Sequence, residues 1–169
     1  GWSIVARESA FATTAMEHPE QKICFFRLMY AQHLYYGVLI DLARMVHNHE
    51  PVSLKVPAVN LISQRDANEI ALRALTLCAN PPDILNVAGP VFQVRDIVKH
   101  LGDRMKVEPI LLDDAGNTAL LADDGKCTSV FGSCRDEPVY MMNAAADWIA
   151  GNGRTWVKPT FFGKADHAY

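Results

Sequence analysis

The stretch that decides the fold is residues 22–30, Lys22-Ile23-Cys24-Phe25-Phe26-Arg27-Leu28-Met29-Tyr30. An apolar run of this length predicts a strand that is covered on both faces, which is the pattern of parallel sheets. Arg27 lies inside the run, and a buried guanidinium needs a carboxylate or carbonyl partner. Arg27 is therefore predicted to be either a structural anchor or part of a ligand pocket.

Strands and helices alternate on the carboxyl side of this run, which predicts an α/β fold. Pro138 suits the first position of a helix, Gly132 suits a helix end, and Asp66 with Glu69 reads as a capping box with Asp66 at the N-cap. The predicted helices span residues 3–17, 38–47, 66–78, 94–101, 124–131 and 138–150, and the further predicted strands span 52–56, 84–88 and 107–112. Residues 59–64 are either another strand or an extended turn that leads to Asp66.

Length and composition exclude several classes of protein. The 169 residues are 50% hydrophobic and 21% charged, which indicates one globular domain and excludes disorder. A net charge of −3 argues against nucleic acid as a partner, and no apolar run is long enough to span a membrane. Four cysteines without a CxxC pair predict a reduced, cytoplasmic protein and no zinc site.

The loop after the first strand is the candidate ligand site. Open α/β sheets bind ligands at the carboxyl ends of their strands, and residues 30–36 there carry hydrogen-bonding and stacking side chains. These side chains belong to Tyr30, Gln32, His33, Tyr35 and Tyr36. An aromatic loop without a ligand is the alternative interpretation.

Other polar groups favour structure over chemistry. The acidic doublets Asp113-Asp114 and Asp123-Asp124 stand beside glycines, which is typical of turns and N-caps more than of a catalytic acid pair. His47 and His49 point in different directions at a helix end, so they do not predict a metal site. The chain has no Gly-rich turn between a strand and a helix, and it offers no catalytic residue of its own.

Five motifs follow one another in a specific order. They are residues 23–28, an apolar run that ends in Arg-Leu, then residues 59–67, 85–89 and 122–132, and a terminal helix with Ala146-Asp147-Trp148. This order resembles the C-terminal half of the extended short-chain dehydrogenase/reductases, the NAD-dependent epimerase/dehydratase family. Residues 23–28 are similar to a late Rossmann strand of that family, and residues 85–89 are similar to its "YNVGG" turn.

The resemblance implies a division of the single domain at residue 37. Residues 1–36 would be a remnant of the Rossmann part, and residues 37–169 the substrate-binding part. The family's Gly-rich turn and Tyr-x-x-x-Lys pair are not in this chain, which begins with Gly1 in a predicted helix. We therefore expect the C-terminal portion of a larger oxidoreductase that is not catalytically complete and does not bind NAD or NADP alone.

The resemblance also implies where a substrate and a cofactor would lie. Leu28 and Met29 would pass near the nicotinamide. Two arginines that commonly clamp a nucleotide-sugar diphosphate are missing, since Val59 stands at one position and residues 113–117 contain no arginine. A sugar or a small polar carbonyl or hydroxy compound is therefore the expected substrate, bound by Tyr30, Gln32, His33, Tyr36, Asn60 and Gln64.

Two alternatives to this function stay open. One is a non-catalytic module that binds a small ligand, and the other is a structural or assembly protein without a ligand. The strand at 22–30 should pair with strands that the chain does not contain, so its open edge predicts a partner. That partner would be the missing cofactor-binding part or a second copy in a homo-oligomer.

Overall fold

A computed structural model describes residues 2–112, 115–156, 158, 160 and 162–163, and it confirms the predicted α/β architecture. Short strands alternate with helices along the chain. The strands are β1 (Cys24–Leu28), β2 (Tyr30–Gln32), β3 (Ala58–Ser63), β4 (Asp83–Val87) and β5 (Val91–Gln93). The helices are α1 (Trp2–Glu17), α2 (Val38–His47), α3 (Gln64–Arg73), α4 (Val94–Met105), α5 (Gly125–Phe131) and α6 (Pro138–Ala150), and a short 3-10 turn, Ala74–Leu77, follows α3.

The five strands form two separate sheets. In the first sheet β1 pairs with β4 in parallel, and Phe26 lies opposite Leu85. In the second sheet β3 is central: it pairs in parallel with β2 and antiparallel with β5. The run at 22–30 therefore contributes to both sheets, because the ladder changes partner at Met29 between β1 and β2.

The main core lies between the three-stranded sheet and helices α2, α4 and α6. All six residues of β3 are buried, and each of the three helices turns an apolar stripe toward the sheet. Residues at 2% exposure or less come from the three-stranded sheet and from all three helices, including Ala145 and Ala146 of α6. The fully buried large side chains include Leu39, Ile40, Leu61, Ile97 and Leu101.

The prediction that the first strand is covered on both faces is wrong. β1 is only half-buried, and its residues Arg27 and Leu28 are exposed. Helix α1 packs loosely beside it, with only Ala15 buried. Arg27 is the predicted structural anchor, although at the surface: its guanidinium donates two hydrogen bonds to the Glu8 carboxylate, at 2.9 and 2.6 Å.

Several local predictions need correction. Residues 52–56 and 107–112 form no strands, because only a single bridge joins Val52 to Leu111. β5 was not predicted, since three residues give no readable alternation. Ser63, not Asp66, caps α3: its hydroxyl oxygen accepts from the Asp66 backbone N–H at 3.0 Å. A helix end gains stability from any oxygen that reaches its free N–H groups, and the serine at the end of β3 is placed to do so.

The turn after β4 connects the two sheets. Gly89 has φ +71°, and a Cβ there would lie 2.2 Å from the Leu61 carbonyl oxygen, so the turn requires glycine. The buried Asn60 side chain donates to the Gly89 carbonyl at 2.9 Å and accepts from the Ala122 N–H at 2.9 Å. Asp124 accepts from the Gly89 N–H at 3.0 Å. The described helices include none that is long and apolar enough to span a membrane.

Candidate functional site

A cleft opens at the carboxyl ends of the parallel strands β2 and β3. Each of these strands leads into a helix: β2 through a short loop into α2, and β3 directly into α3. Helix α6 forms the opposite wall, and the cleft has a volume of about 250 Å³. This is the position at which open α/β sheets bind small molecules, so the cleft is the candidate site.

The cleft has an apolar floor and a polar rim. The floor consists of aliphatic and thioether side chains from the loop, α2 and α6, namely Leu34, Leu39, Ile40, Met141, Ala144 and Ala145. The rim carries the polar side chains of Gln32, His33, Ser63, Gln64, Arg65, Asp136 and Tyr140. Three predicted substrate-binding residues, Gln32, His33 and Gln64, are thus brought together.

Gln32 holds the loop and the start of α2 in place. Its Oε1 accepts from the Leu39 backbone N–H at 3.0 Å, and its Nε2 donates to the Tyr30 carbonyl at 2.9 Å. Gln32 therefore caps the helix from the neighbouring strand, in a position where Gly37 has no side chain to do so. A Cβ on Gly37 would lie 2.6 Å from the Gln32 Oε1, so glycine at φ +145° leaves room for this cap.

His33 lies at the rim and begins a row of three aromatic rings that ends on α6. Its ring lies 4.9 Å from that of Tyr35, measured between centroids, and its Nδ1 accepts from the Tyr35 backbone N–H at 3.2 Å. Tyr35 lies in turn 5.6 Å from Trp148 of α6. Trp148 is fixed by a hydrogen bond from its Nε1 to the Arg154 carbonyl. Because His33 Nδ1 accepts a hydrogen bond, its Nε2 is the nitrogen that carries the proton in the neutral ring.

An ion pair crosses the rim between α3 and the segment before α6. Arg65 lies 3.4 Å from the carboxylate of Asp136, whose backbone N–H donates to the buried carboxylate of Asp66 at 3.0 Å. Arg65, Asp136 and Tyr140 were not predicted as site residues. Asp136 and Tyr140 are about 70 residues from β3 in the sequence, so only the folded chain brings them to the cleft. For Arg65 alone the sequence held a signal of a role in the site, because Arg65 directly follows the predicted site residue Gln64.

The other predicted site residues lie outside the lining of this cleft. Tyr30 packs edge-on against Phe162 at 5.9 Å, and Tyr36 stacks on Trp156 at 6.0 Å with Lys158 over its ring. Asn60 makes the backbone hydrogen bonds that join β3 to the turn after β4. The proposed contacts of these three residues with a substrate stay predictions.

Leu28 and Met29 lie at the carboxyl end of β1. The Leu28 side chain is exposed, and the Met29 backbone N–H donates to the Val87 carbonyl at 2.9 Å. Among the described elements, β3 leads directly into α3 and β5 directly into α4, and the loop from β2 to α2 contains one glycine, Gly37. That the chain does not bind NAD or NADP alone stays a prediction.

The remaining candidate chemistry has structural roles. Asp123 accepts from the Gly125 N–H at 2.8 Å, so this acidic doublet shapes the start of α5, while Asp113 and Asp114 lie outside the described residues. No three His, Cys, Asp or Glu side chains of the described residues are grouped as metal ligands. All four cysteines are free thiols.

A second cavity of about 310 Å³ lies on the other side of α3. Here Arg73 and Arg135 both approach the Oε1 of Glu69, at 3.6 and 2.9 Å, and Arg73 also covers the ring of Phe131. Burial and the nearby Asp66 carboxylate raise the pKa of the Cys134 thiol to about 11. In this cluster the charges of Arg73 and Arg135 pair with that of Glu69, and the pairs attach α3 to the segment before α6.

Comparison with known proteins supports the fold. No protein-family model matches the sequence, and no curated protein matches it either. Among solved structures, RMD from Pseudomonas aeruginosa complexed with NADPH matches with a TM-score of 0.68 and 14% identity, over 88% of this chain and 55% of that chain. The Thermotoga maritima UDP-glucose 4-epimerase with UDP-glucose gives the same TM-score and identity, over 88% of this chain and 52% of the enzyme.

A third match holds both a nucleotide sugar and a dinucleotide. It is the UDP-glucuronic acid 4-epimerase from Bacillus cereus in complex with UDP-glucuronic acid and NAD, with a TM-score of 0.66 and 13% identity. The match covers 85% of this chain and 50% of that enzyme. This chain thus spans about half the length of each of the three enzymes. It shares their α/β fold, which confirms the predicted resemblance to the epimerase/dehydratase type of short-chain dehydrogenase/reductase at the level of the fold.

Proposed function

We propose that this chain is the substrate-binding part of an NAD(P)-dependent oxidoreductase of the epimerase/dehydratase type. Its substrate is a sugar or a small polar carbonyl or hydroxy compound. The observation that carries the proposal is the cleft at the carboxyl ends of β2 and β3, because that is where this class of fold binds ligands. The solved structures that share the fold hold NADPH, or NAD with a UDP-sugar, which supports the same assignment.

In this proposal the chain binds and orients the substrate and leaves the dinucleotide to another part of the enzyme. The exposed Leu28 side chain and Met29 would form only a small apolar contact with a nicotinamide. Among the described elements, none of the strands enters a helix through a Gly-rich turn of the kind that holds a dinucleotide phosphate. We derive no catalytic step from this chain, whose residues act by excluding water from the cleft floor and by presenting hydrogen-bonding groups at its rim.

The side chains that remain able to hydrogen-bond a ligand lie at the rim. They include the imidazole Nε2 of His33, the amide of Gln64 and the hydroxyl of Tyr140, which is 68% exposed. Gln32 is already bonded at both ends of its amide, so it positions the loop. His33 is thus the strongest candidate for a direct contact among the residues predicted from the sequence.

The exposed surface of α1 and β1 is the argument for a binding partner. Trp2, Val5, Phe11 and Met16 are all more than half exposed on α1, and β1 has an unpaired edge among the described strands. Exposed apolar side chains on a helix beside an open strand edge are typical of a surface that another element covers. In our proposal the cofactor-binding part covers this surface, or else a second copy of the chain does. The predicted cytoplasmic location belongs to the same proposal.

The function is tested by ligand binding to the isolated chain. Hydroxy and carbonyl compounds are screened by thermal unfolding, and a ligand at 100 times its Kd should raise the Tm by about 5–10 °C. Ala144→Trp fills the cleft and should abolish the rise. Ala71→Trp, on the exposed side of α3, is the matched control and should preserve it. NAD(H) alone should give no rise.

Two outcomes would contradict the proposal. A ligand response that survives Ala144→Trp would place binding outside the cleft. A clear stabilisation by NAD(H) alone would show that this chain holds the dinucleotide itself. The partner is tested separately by sedimentation of the chain, where Phe11→Asp should dissociate a homo-oligomer and Thr13→Asp, at an exposed polar position of the same helix, should not.

A further inference from the structure

We infer that the cleft takes an uncharged alcohol or ketone with an apolar ring or branched body, and not a nucleotide sugar or a free polyol. This inference rests on the proposed function and specifies its substrate class. It comes from three properties of the cleft: the composition of its floor, the charge of its rim and its volume.

The floor offers no hydrogen bonds to a ligand. Six of its side chains are apolar, from Leu34 in the loop to Ala145 on α6. Next to them, the Gln32 amide already donates to the Tyr30 carbonyl and accepts from the Leu39 N–H, which leaves its second N–H as the donor that could meet a ligand. A sugar carries a hydroxyl on nearly every carbon, and each hydroxyl buried against this floor would lose its water without gaining a partner. A hydrocarbon ring or a branched chain loses nothing there.

The rim is electrically balanced. Its two charged groups are Arg65 and Asp136, which form an ion pair with each other at 3.4 Å. A diphosphate brings at least two negative charges, and the cleft has no second guanidinium to receive them. The same pair suits a single hydroxyl or carbonyl group, because Arg65 donates hydrogen bonds and Asp136 accepts them.

The volume agrees with a small ligand. Clefts that enclose drug-sized molecules measure about 300–1,000 Å³, and this one measures about 250 Å³. A six-membered ring with one polar substituent fits these dimensions, with the ring on the Met141 and Ala144 side and the substituent toward Arg65. Tyr140 then stands at the open side of the rim as a further hydrogen-bonding group.

The test uses two probes with the same ring, cyclohexanol and myo-inositol, which carries a hydroxyl on every carbon. UDP-glucose is the third probe. Binding to the full chain is followed by NMR through the methyl resonances of Met141, Ala144 and Ile40. Cyclohexanol should bind at least about tenfold more tightly than myo-inositol, since each unpaired buried hydroxyl weakens binding by at least about fivefold.

The variants separate this inference from the proposed function. Ala144→Trp should remove the cyclohexanol response, the control Ala71→Trp should keep it, and Arg65→Met should weaken it by about two- to tenfold. Tighter binding of myo-inositol or UDP-glucose in the cleft would overturn the inferred substrate class and leave the proposed function intact. If no probe of any class shifts the cleft methyl groups, the inference and the proposed function both fail.

Discussion

The two sheets of this molecule are covered to very different degrees. The three-stranded sheet around β3 has helices α2, α4 and α6 against it, and every residue of β3 is buried. The two-stranded sheet of β1 and β4 is covered on one face, where Leu85 and Val87 pack against α3, the 3-10 turn and α5. Its other face has only the loosely packed α1 beside β1, and Leu28 and Ile84 are 44% and 41% exposed. The difference teaches that helices of this chain cover the three-stranded sheet fully, whereas one face of the two-stranded sheet stays half-exposed among the described residues. The candidate cleft lies at the fully covered sheet.

The largest expected effect comes from comparing two side-chain substitutions, one in each region. Leu61→Ala in β3 should lower the free energy of unfolding by about 3–5 kcal/mol, because Leu61 is 1% exposed and its loss leaves a cavity. Phe11→Ala on α1 should cost less than about 0.5 kcal/mol, because Phe11 is 51% exposed. Urea denaturation of both variants measures this. Equal losses would show that α1 is covered in solution.

Gly89→Ala tests the connection between the two sheets. We expect a loss of about 2–4 kcal/mol, because an alanine at φ +71° is strained and its Cβ would overlap the Leu61 carbonyl oxygen. Gly132 is the matched control: it has φ +86°, but a Cβ there would meet nothing within 4 Å, so Gly132→Ala should cost only about 1 kcal/mol. If the two variants lose the same stability, the close approach of the turn to β3 is absent.

Asn60→Ala probes the same connection through its hydrogen bonds. The variant leaves the Gly89 carbonyl and the Ala122 N–H without their partner, which should cost about 1–3 kcal/mol. Asn68→Ala, on the exposed side of α3, should change stability by less than about 0.5 kcal/mol. If Asn60→Ala instead keeps its stability and loses ligand binding, Asn60 acts as the substrate contact that the sequence predicts.

The smallest expected effect is at the exposed ion pair of the two-stranded sheet. The Arg27 guanidinium, through its hydrogen bonds, lowers the pKa of the Glu8 carboxyl below its ordinary 4.5. A carboxyl whose pKa is lower in the folded state stabilises the fold above its ordinary pKa, and this contribution disappears as the pH falls through the folded value. Glu8→Gln should therefore cost about 0.2–1 kcal/mol at pH 7, reduced by solvent and salt.

The pH dependence provides the control for that prediction. The difference in stability between wild type and Glu8→Gln should shrink below pH 4.5. Denaturation at pH 7 and at lower pH measures this difference. A difference that stays constant with pH would mean that Glu8 contributes through packing alone.

Local sequence pattern was sufficient where one element determines its own conformation. The bounds of α2 were predicted as found, because its apolar stripe repeats with helical period from Val38 to His47. The cap of α3 was misplaced, because Asp66 with Glu69 resembles a capping box more closely than Ser63 with Asp66 does. The burial of β1 was predicted wrongly for a different reason. An apolar composition indicates that both faces of a strand tend to be covered, but it does not show whether other described residues cover them.

Prediction from local sequence pattern was limited in the same way for the cleft, whose residues are far apart in the sequence. Gln32, His33 and Gln64 could be placed in a site from the sequence, because each follows or ends a predicted strand. Arg65 and Tyr140 gain their positions only when α6 packs across the ends of β2 and β3. Their spacing along the chain carries no periodic signal, so the apolar floor and the balanced rim are properties of the tertiary structure.

The row of rings from His33 through Tyr35 to Trp148 gives the molecule an optical indicator of its own. Indole emission responds to neighbouring rings and charges, and Trp148 lies 5.6 Å from Tyr35, which itself touches His33 at the rim. Replacing Trp2 and Trp156, which are both more than half exposed, with phenylalanine would leave Trp148 as the only fluorophore of its kind. Occupancy of the cleft could then be followed by fluorescence, with no added dye and no knowledge of the natural substrate.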